Sequence, residues 1–323
     1  MVLTAPFVAV LLGLVFLTDP LALTLTLIPG AIVVGAFVWL DRVEPEPHAE
    51  RVHAFLWGAA VASLLGAAAN ELVAWRFGYE WALVVSAPVG EEILKALGVF
   101  VAVRRRRLHS WFDGVVYAGF VAAGFALVEN AVYFLEAAAT GQLPVVFIGR
   151  GLATPFAHPL FTMFTGIFVG RFAVSHFPRS LLGIPIAIAL HAGWNAATLL
   201  GTTYAIAMLV SAVLLFWTVL AVLVLFRVRT TRIYARMLPV LAFRFGFDPS
   251  ELAVLADWTA VLRSRATLPR NRLRPFEEMH AAALRVGRRV TAGEEVTERE
   301  HAELQRARAV FSARRLPPPS GPW

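Results

Sequence analysis

Eight apolar runs, each near the length of a membrane-crossing helix, fill the first 228 residues of this chain. They lie at about 3–18, 21–40, 52–75, 81–103, 113–136, 146–170, 181–203 and 205–227. A helix needs about 20 mostly apolar residues to cross the bilayer core. Inside lipid every backbone N–H and C=O must find its partner within the protein, which favours helices for runs of this kind. The expected fold class is therefore all-α, a polytopic membrane bundle of about eight transmembrane helices. The composition agrees, at 58% hydrophobic and 16% charged with a mean hydropathy of +0.67. Soluble domains rarely look like this. The first run is short, and Asp19-Pro20 breaks it from the second. Pro6 to Leu17 superficially resembles a signal peptide, but no basic segment precedes it and another apolar run follows at once, so it reads as a retained membrane segment.

The net charge of +7 is unevenly placed. Residues 1–228 carry 12 basic and 12 acidic groups, whereas residues 229–323 carry 17 arginines against 10 acids. The expected domains are thus a transmembrane domain over 1–228 and a basic helical cytoplasmic tail over 229–323. A basic segment beside a membrane domain points to anionic lipid headgroups. No nucleic-acid recognition motif accompanies the arginines, so no nucleic-acid partner is expected. Alternate loops hold Arg42 and Arg51, then Arg104 to Arg107, then Arg171 and Arg179, then Arg227, Arg229 and Arg232, while the intervening loops are nearly free of positive charge. The positive-inside rule then puts both termini in the cytoplasm of a multi-pass cell-membrane protein. In the tail, Asp248-Pro-Ser-Glu251 and Thr297-Glu-Arg-Glu300 are helix-start signals. Leu252, Leu255, Trp258 and Leu262 make an apolar stripe, and a disordered proline-rich end from Leu316 is expected. The chain has no cysteine, which excludes disulfide frameworks and thiolate metal sites.

Against this apolar background a few polar groups stand out. Lys95 is the only lysine, and it follows Pro88-Val-Gly-Glu91-Glu92 inside the fourth run. The fifth run holds Glu129-Asn130, the sixth Arg150 and His158, the seventh His191 and Asn195. Ionisable groups within a span are expensive and are functional by default. At about 1.5 Å per residue, Glu92 lies about 16 Å, Glu129 about 24 Å and His191 about 15 Å from the cytoplasmic face, with His158 about 18 Å below the outer one. Neighbouring spans can therefore bring them together. Glu91 and Glu92 are four and three residues from Lys95, so the lysine neutralises one carboxylate and leaves the other available. Asn195, four residues after His191, can orient the imidazole or a bound peptide.

A base, two histidines and amide donors around one cavity suit the activation of water for attack on a carbonyl. Glu92, His158 and His191 can also ligate a divalent metal such as zinc. Bland readings exist for each member alone. Glu91, Glu92 and Lys95 can be a structural ion pair, Arg150 and Glu71 can snorkel to the boundary, and Asp113-Gly114 can cap the fifth span. Gly124, Gly166 and Gly170 read as close helix packing.

The pattern resembles the PrsW family of intramembrane peptidases. The matching pieces are Asp41-Arg-Val-Glu44-Pro-Glu46-Pro, Glu91-Glu92-x-x-Lys95, Asp113-Gly-x-x-Tyr117, Gly124-Phe-Ala-Leu-Val-Glu129-Asn130, Arg150 with His158, and His191-Ala-Gly-Trp194-Asn195. They run in order over roughly residues 35–228; the tail lies outside the resemblance. It implies a membrane-embedded protease distantly related to the type II CAAX prenyl endopeptidases. It also implies a membrane-protein substrate, of which a single-pass anti-sigma factor in stress signalling is the characterised case, and a mechanism described both as metallo and as glutamate-based.

The expected assignment follows. Glu92, or alternatively Glu91, activates a water and Lys95 pairs with the neighbouring carboxylate. His158 and His191 bind metal or polarise the scissile carbonyl. Glu129 completes the catalytic set, and Asn130, Arg150 and Asn195 hold the substrate backbone. Competing classes are a proton-coupled or ion transporter, a non-catalytic scaffold and a prenyl-protein peptidase. No inverted repeat supports the transporter.

Overall fold

The structure, a computed structural model, describes residues 4–41, 46–104, 111–173, 176–199, 202–256, 261, 264 and 268–313. Among these residues the chain is helical throughout, with no strand. They group into two compact units, Met1–Thr218 and Val219–Trp323.

In the first unit, helices coincide with the expected runs. Helix α1 is Thr4–Thr18 and α2 is Pro20–Leu40. Asp19 separates them and caps α2 by accepting the Ala22 N–H at 2.9 Å, with Pro20 at the position where a missing N–H costs nothing. Helix α3 is His48–Phe77 and ends at Gly78, whose φ of 98° is one that glycine adopts freely. Helix α4 covers 79–104, α5 is Trp111–Ala139, α6 is Leu143–Phe172, α7 is Gly183–Thr198 and α8 is Thr202–Phe245.

Five helices among the described residues are long and apolar enough to cross a membrane: α2, α3, α5, α6 and the segment Phe177–Thr198 that contains α7. Of the other expected spans, α1 has 15 residues. In α4 the apolarity is interrupted by Glu91, Glu92 and Lys95.

Helix α5 is the axis of this unit. It is buried around nearly its whole circumference and packs against α2, α3, α4 and α6. A helix apolar on every face belongs in such a place. Glycines let the neighbours approach. A β-carbon at Gly124 of α5 would lie 2.0 Å from the Phe55 carbonyl oxygen of α3, and one at Gly58 of α3 would lie 1.8 Å from the Val121 carbonyl oxygen of α5. Gly114 of α5 and Gly166 of α6 meet in the same way. Gly124 and Gly166 thus serve close packing.

Three widened, π-helical turns occur at Trp57–Ala62, Ala82–Ser86 and Phe147–Ala153. Such turns concentrate at functional places because they re-aim the residues that follow. Helix α6 is interrupted at 154–156, where Thr154 leaves helical geometry ahead of Pro155. It resumes at Ala157, which puts His158 in the first turn of the new segment. Pro159 is tolerated there because a first-turn N–H has no intrahelical partner to lose.

The second unit begins inside α8, as does the expected tail. It adds α9 (Pro249–Ala253), α10 (Arg270–Ala292) and α11 (Glu298–Ala313). Its core gathers Met237, Leu241, Leu255, Phe276, Met279 and Leu304, all fully buried. Both expected capping boxes form. Asp248 accepts from the Glu251 N–H at 2.9 Å, and Glu300 accepts from the Thr297 N–H at 3.0 Å. Arg308 clamps Glu251 at 2.7 Å and also donates to the carbonyls of Phe245 and Gly246. Of the expected apolar stripe, Leu255 is in the core and Leu252 packs against it, whereas Trp258 and Leu262 lie outside the described residues, as does the proline-rich end.

Candidate active site

The polar residues singled out from the sequence meet between α4, α5, α6 and α7. Helix α4 presents Glu91, Glu92 and Lys95, all buried. Lys95 Nζ donates to Glu92 Oε1 at 2.9 Å and to His158 Nδ1 at 3.2 Å, and lies 3.6 Å from Glu91 Oε2. It also sits 3.8 Å from the centre of the Phe125 ring, which favours a desolvated cation. Thr162 of α6 donates to Glu92 Oε2 at 2.9 Å. His191 of α7 places Nδ1 3.2 Å from Glu92 Oε1. Glu92 is therefore engaged on both oxygens, by a lysine, a threonine and a histidine.

Glu91 differs. Its Oε1 accepts from Asn70 of α3 at 3.2 Å, and Asn70 in turn accepts from Ser86 at 2.9 Å. Its Oε2 is buried with no hydrogen-bond partner among the described residues, and faces Lys95 and, at 3.9 Å, His191 Nε2. Gly66 of α3 makes room for this side chain: a β-carbon there would lie 3.3 Å from Glu91 Cγ.

The histidines are oriented by carboxylates. His158 Nε2 lies 2.6 Å from Glu129 Oε2, and since the carboxylate only accepts, that nitrogen carries the proton. The Lys95 ammonium only donates, so His158 Nδ1 is the lone-pair nitrogen. By the same reasoning His191 gives its Nδ1 proton to Glu92, while its Nε2 faces Glu91 Oε2 at 3.9 Å. The two rings meet edge to face with centroids 5.2 Å apart, and Phe161 stacks on His191 at 5.1 Å.

Arg150 stays inside the bundle. It pairs with Glu129, donates to Asn130 Oδ1 at 3.2 Å and lies 3.9 Å over the Tyr133 ring. Asn195 takes a place away from the imidazole: its Nδ2 donates to the Leu83 carbonyl at 2.8 Å, satisfying an oxygen of the widened turn Ala82–Ser86. Glu71 is exposed on α3.

Glu91, Glu92 and Glu129 bring three carboxyl groups against the two cationic side chains of Lys95 and Arg150, so carboxyls outnumber cations by one. One oxygen of Glu91, one nitrogen of His158 and one of His191 lie within 4.8 Å of one another, a spacing that can hold a metal ion. The ligand group that comes together is thus Glu91 with the two histidines, where Glu92 was the carboxylate expected from the sequence. The reason is that Lys95 lies closer to Glu92 and, with Thr162 and His191 Nδ1, occupies it.

Sequence reasoning did not find Asn70, Ser86, Thr162 or Phe125. An amide within an apolar span is itself a signal, so Asn70 was findable. Thr162 was not, since a threonine in a helix commonly bonds its own backbone.

The Asp41, Glu46, Asp113 and Tyr117 motif residues form a second cluster. Asp41 pairs with Arg51 at 2.8 Å, and Tyr117 donates to Glu46 at 2.8 Å. Tyr117 and Glu129 are about 18 Å apart along α5, so this cluster braces one end of the bundle and stays out of the site. Glu44 lies outside the described residues.

Comparison with known proteins gives the family. The chain is 28% identical over 207 residues to Protease PrsW of Clostridioides difficile (strain 630), an alignment that covers 60% of this chain and 85% of the relative. No solved structure matches. Residues 46–225, more than half the chain and including every residue of the cluster, match the family described as PrsW family intramembrane metalloprotease. A buried Glu-Glu-Lys and two-histidine cluster within apolar helices, on a chain so matched, makes this a membrane protease belonging to the PrsW family.

Proposed function

We propose that this membrane protease hydrolyses a peptide bond of a membrane-anchored protein, with Glu91 as the group that activates water. The observation that carries the reading is Glu91 Oε2, a buried carboxyl oxygen with no hydrogen-bond partner among the described residues, 3.6 Å from Lys95 Nζ. Glu92 is tied on both oxygens and acts as the scaffold that orients Lys95 and His191. In the proposed step the water oxygen attacks the scissile carbonyl carbon while its proton passes to Glu91 Oε2. The C–N bond then breaks and the proton goes on to the leaving amine nitrogen. Lys95, 3.6 Å from Glu91 Oε2, stabilises the charge that develops on the carbonyl oxygen.

Glu91, His158 and His191 also fit a divalent cation. One carboxylate and two imidazoles are a donor set that zinc takes. The second nitrogen of each histidine is already held by a carboxylate, Glu129 or Glu92, the outer arrangement that metal-binding histidines use. Zinc there would supply Lewis acidity toward water and the carbonyl.

The finer topology belongs to the same reading. Helices α1, α4 and the first part of α8 complete about eight spans, with both termini cytoplasmic, supported by the arginine-rich alternate loops. Asn130 and Arg150, beside Glu129, position the substrate backbone, whereas Asn195 holds the Leu83 carbonyl and so the widened turn of α4. The substrate is a single-pass membrane protein, with an anti-sigma factor the instance that the family resemblance supports. The arginine excess of the tail supports contact with anionic lipid.

The test compares the N-termini of membrane proteins in cells carrying wild type, Glu91→Gln or Glu92→Gln. New N-termini seen with wild type and reduced to background in Glu91→Gln are expected. Undiminished cleavage by a folded, membrane-inserted Glu91→Gln protein sinks the assignment.

A further inference from the structure

Between α3 and α4 runs an apolar groove of about 560 Å³, walled by Val73 and Phe77 on one side and by Trp81, Val85, Val89 and Gly90 on the other. Its walls are open: Phe77 and Trp81 are 63% and 60% exposed. From Trp81 to Gly90 the wall follows about 13 Å of helix. We propose that this groove receives an apolar stretch of the substrate's membrane-spanning segment and leads it to Glu91, an inference that rests on the peptidase reading above.

Three observations choose this occupant. First, the groove shares α4 with the site: its last wall residue, Gly90, is the chain neighbour of buried Glu91. Second, it is not apolar to its end. Ser86 lines it and gives its proton to Asn70, whose amide holds Glu91 Oε1. The Ser86 oxygen can then accept from a peptide N–H, whereas a lipid acyl chain has no donor to offer. Third, Gly90 leaves room for a backbone to approach. A β-carbon there would meet nothing within 4 Å, whereas at Gly98 on the same helix it would lie 2.5 Å from Trp57. Substrate entering here touches Ser86, and through Asn70 it is connected to the base.

The experiment uses the full chain in cell membranes and the N-terminus comparison just described. Gly90→Leu and Val85→Trp fill the groove from its wall. Gly35→Leu on α2, another position where a β-carbon meets nothing within 4 Å, is the control. Loss of the wild-type-specific N-termini by at least about tenfold in both filling variants, with Gly35→Leu near wild type, is the expected result. If Gly90→Leu fails to accumulate in the membrane, Val85→Trp decides alone.

The chain has no cysteine, so a single Val85→Cys in the Glu91→Gln background gives a second readout. It should form a disulfide with a cysteine placed in the span of the cleaved protein beside the new N-terminus. Leu97→Cys, exposed on α4 but outside the groove, should not. Wild-type cleavage by the filling variants, or equal cross-linking from both positions, overturns the groove and leaves the peptidase reading standing. Co-purifying phospholipid displaced by Val85→Trp without loss of cleavage would make it a lipid site instead. If Glu91→Gln keeps the wild-type N-termini, the Glu91 assignment fails, and the groove proposal, which leads substrate to that residue, is rejected with it.

Discussion

Lys95 and Glu92 form a buried pair in which neither charge has water as an alternative. Breaking such a pair leaves an uncompensated buried charge and typically costs about 3–5 kcal/mol. Lys95→Met should therefore lower the thermal midpoint of the purified protein in detergent, and more so than Glu91→Gln, because Glu91 Oε2 has no hydrogen bond to lose. Glu129→Gln should weaken the orientation of His158 and reduce cleavage about 10–100-fold, the range for outer carboxylates on metal-site histidines. Zinc content, measured by elemental analysis of the purified chain, should fall together in Glu91→Ala, His158→Ala and His191→Ala; metal content unaffected by all three would remove the metal from this site. At the end of α2, burial pushes the Asp41 carboxyl from its ordinary value of 3.8 up to about 6, against the Glu46 N–H and Arg51, which pull it down. The folded protein thus holds this proton more tightly than the unfolded chain. Stability from this group is greatest below about pH 4 and declines as pH rises through about 6, by on the order of 2–3 kcal/mol. Asp41→Asn should flatten that dependence in thermal midpoints taken from about pH 4 to 7, and an unchanged slope would show that Asp41 is not its source.

At the scale of elements, the site depends on how closely α5 can approach its neighbours. The α3–α5 crossing leaves no volume for a side chain at Gly58 or Gly124. Gly124→Val should lower the yield of folded protein and cost about 3 kcal/mol or more, the upper range for overpacking. Gly35→Leu should be neutral, and equal thermal midpoints for the two variants would contradict the crossing. In the tail unit, burial works to raise the Glu251 pKa, but Arg308, the Asp248 N–H and Ser312 outweigh it and hold the carboxyl below its ordinary value. Arg308→Ala removes the clamp that ties α11 to α9. Limited proteolysis should then cut the segment 229–313 several-fold faster while the membrane helices stay intact. The capping boxes at Asp248 and Thr297 were legible in the sequence because a cap is set by residues three apart. The interruption of α6 was not drawn from it, although Thr154-Pro155 carried the signal.

For the whole molecule, the eight apolar runs, the Asp19-Pro20 break and the membership of Glu91, Glu92, Lys95, Glu129, His158 and His191 in one cluster could all be read from the chain alone. Each rests on local physics: apolar length, the cost of a charge in lipid, and depth along a helix of fixed rise. The division of labour within the cluster could not be read this way. Glu91 and Glu92 are adjacent and both one turn from Lys95, so spacing treats them alike. Helix rotation decides between them, pointing Glu92 at Thr162 and His191 Nδ1 and leaving Glu91 Oε2 open. The partner of Asn195 was equally out of reach, because Leu83 lies 112 residues away in sequence and offers its carbonyl only where α4 widens. The sequence by itself determined a membrane-embedded helical protease and the polar residues that gather between its helices, because burial in lipid makes every polar group conspicuous. Only the tertiary structure decided which carboxyl oxygen is left without a hydrogen bond among the described residues, because that depends on how four helices are turned toward one another.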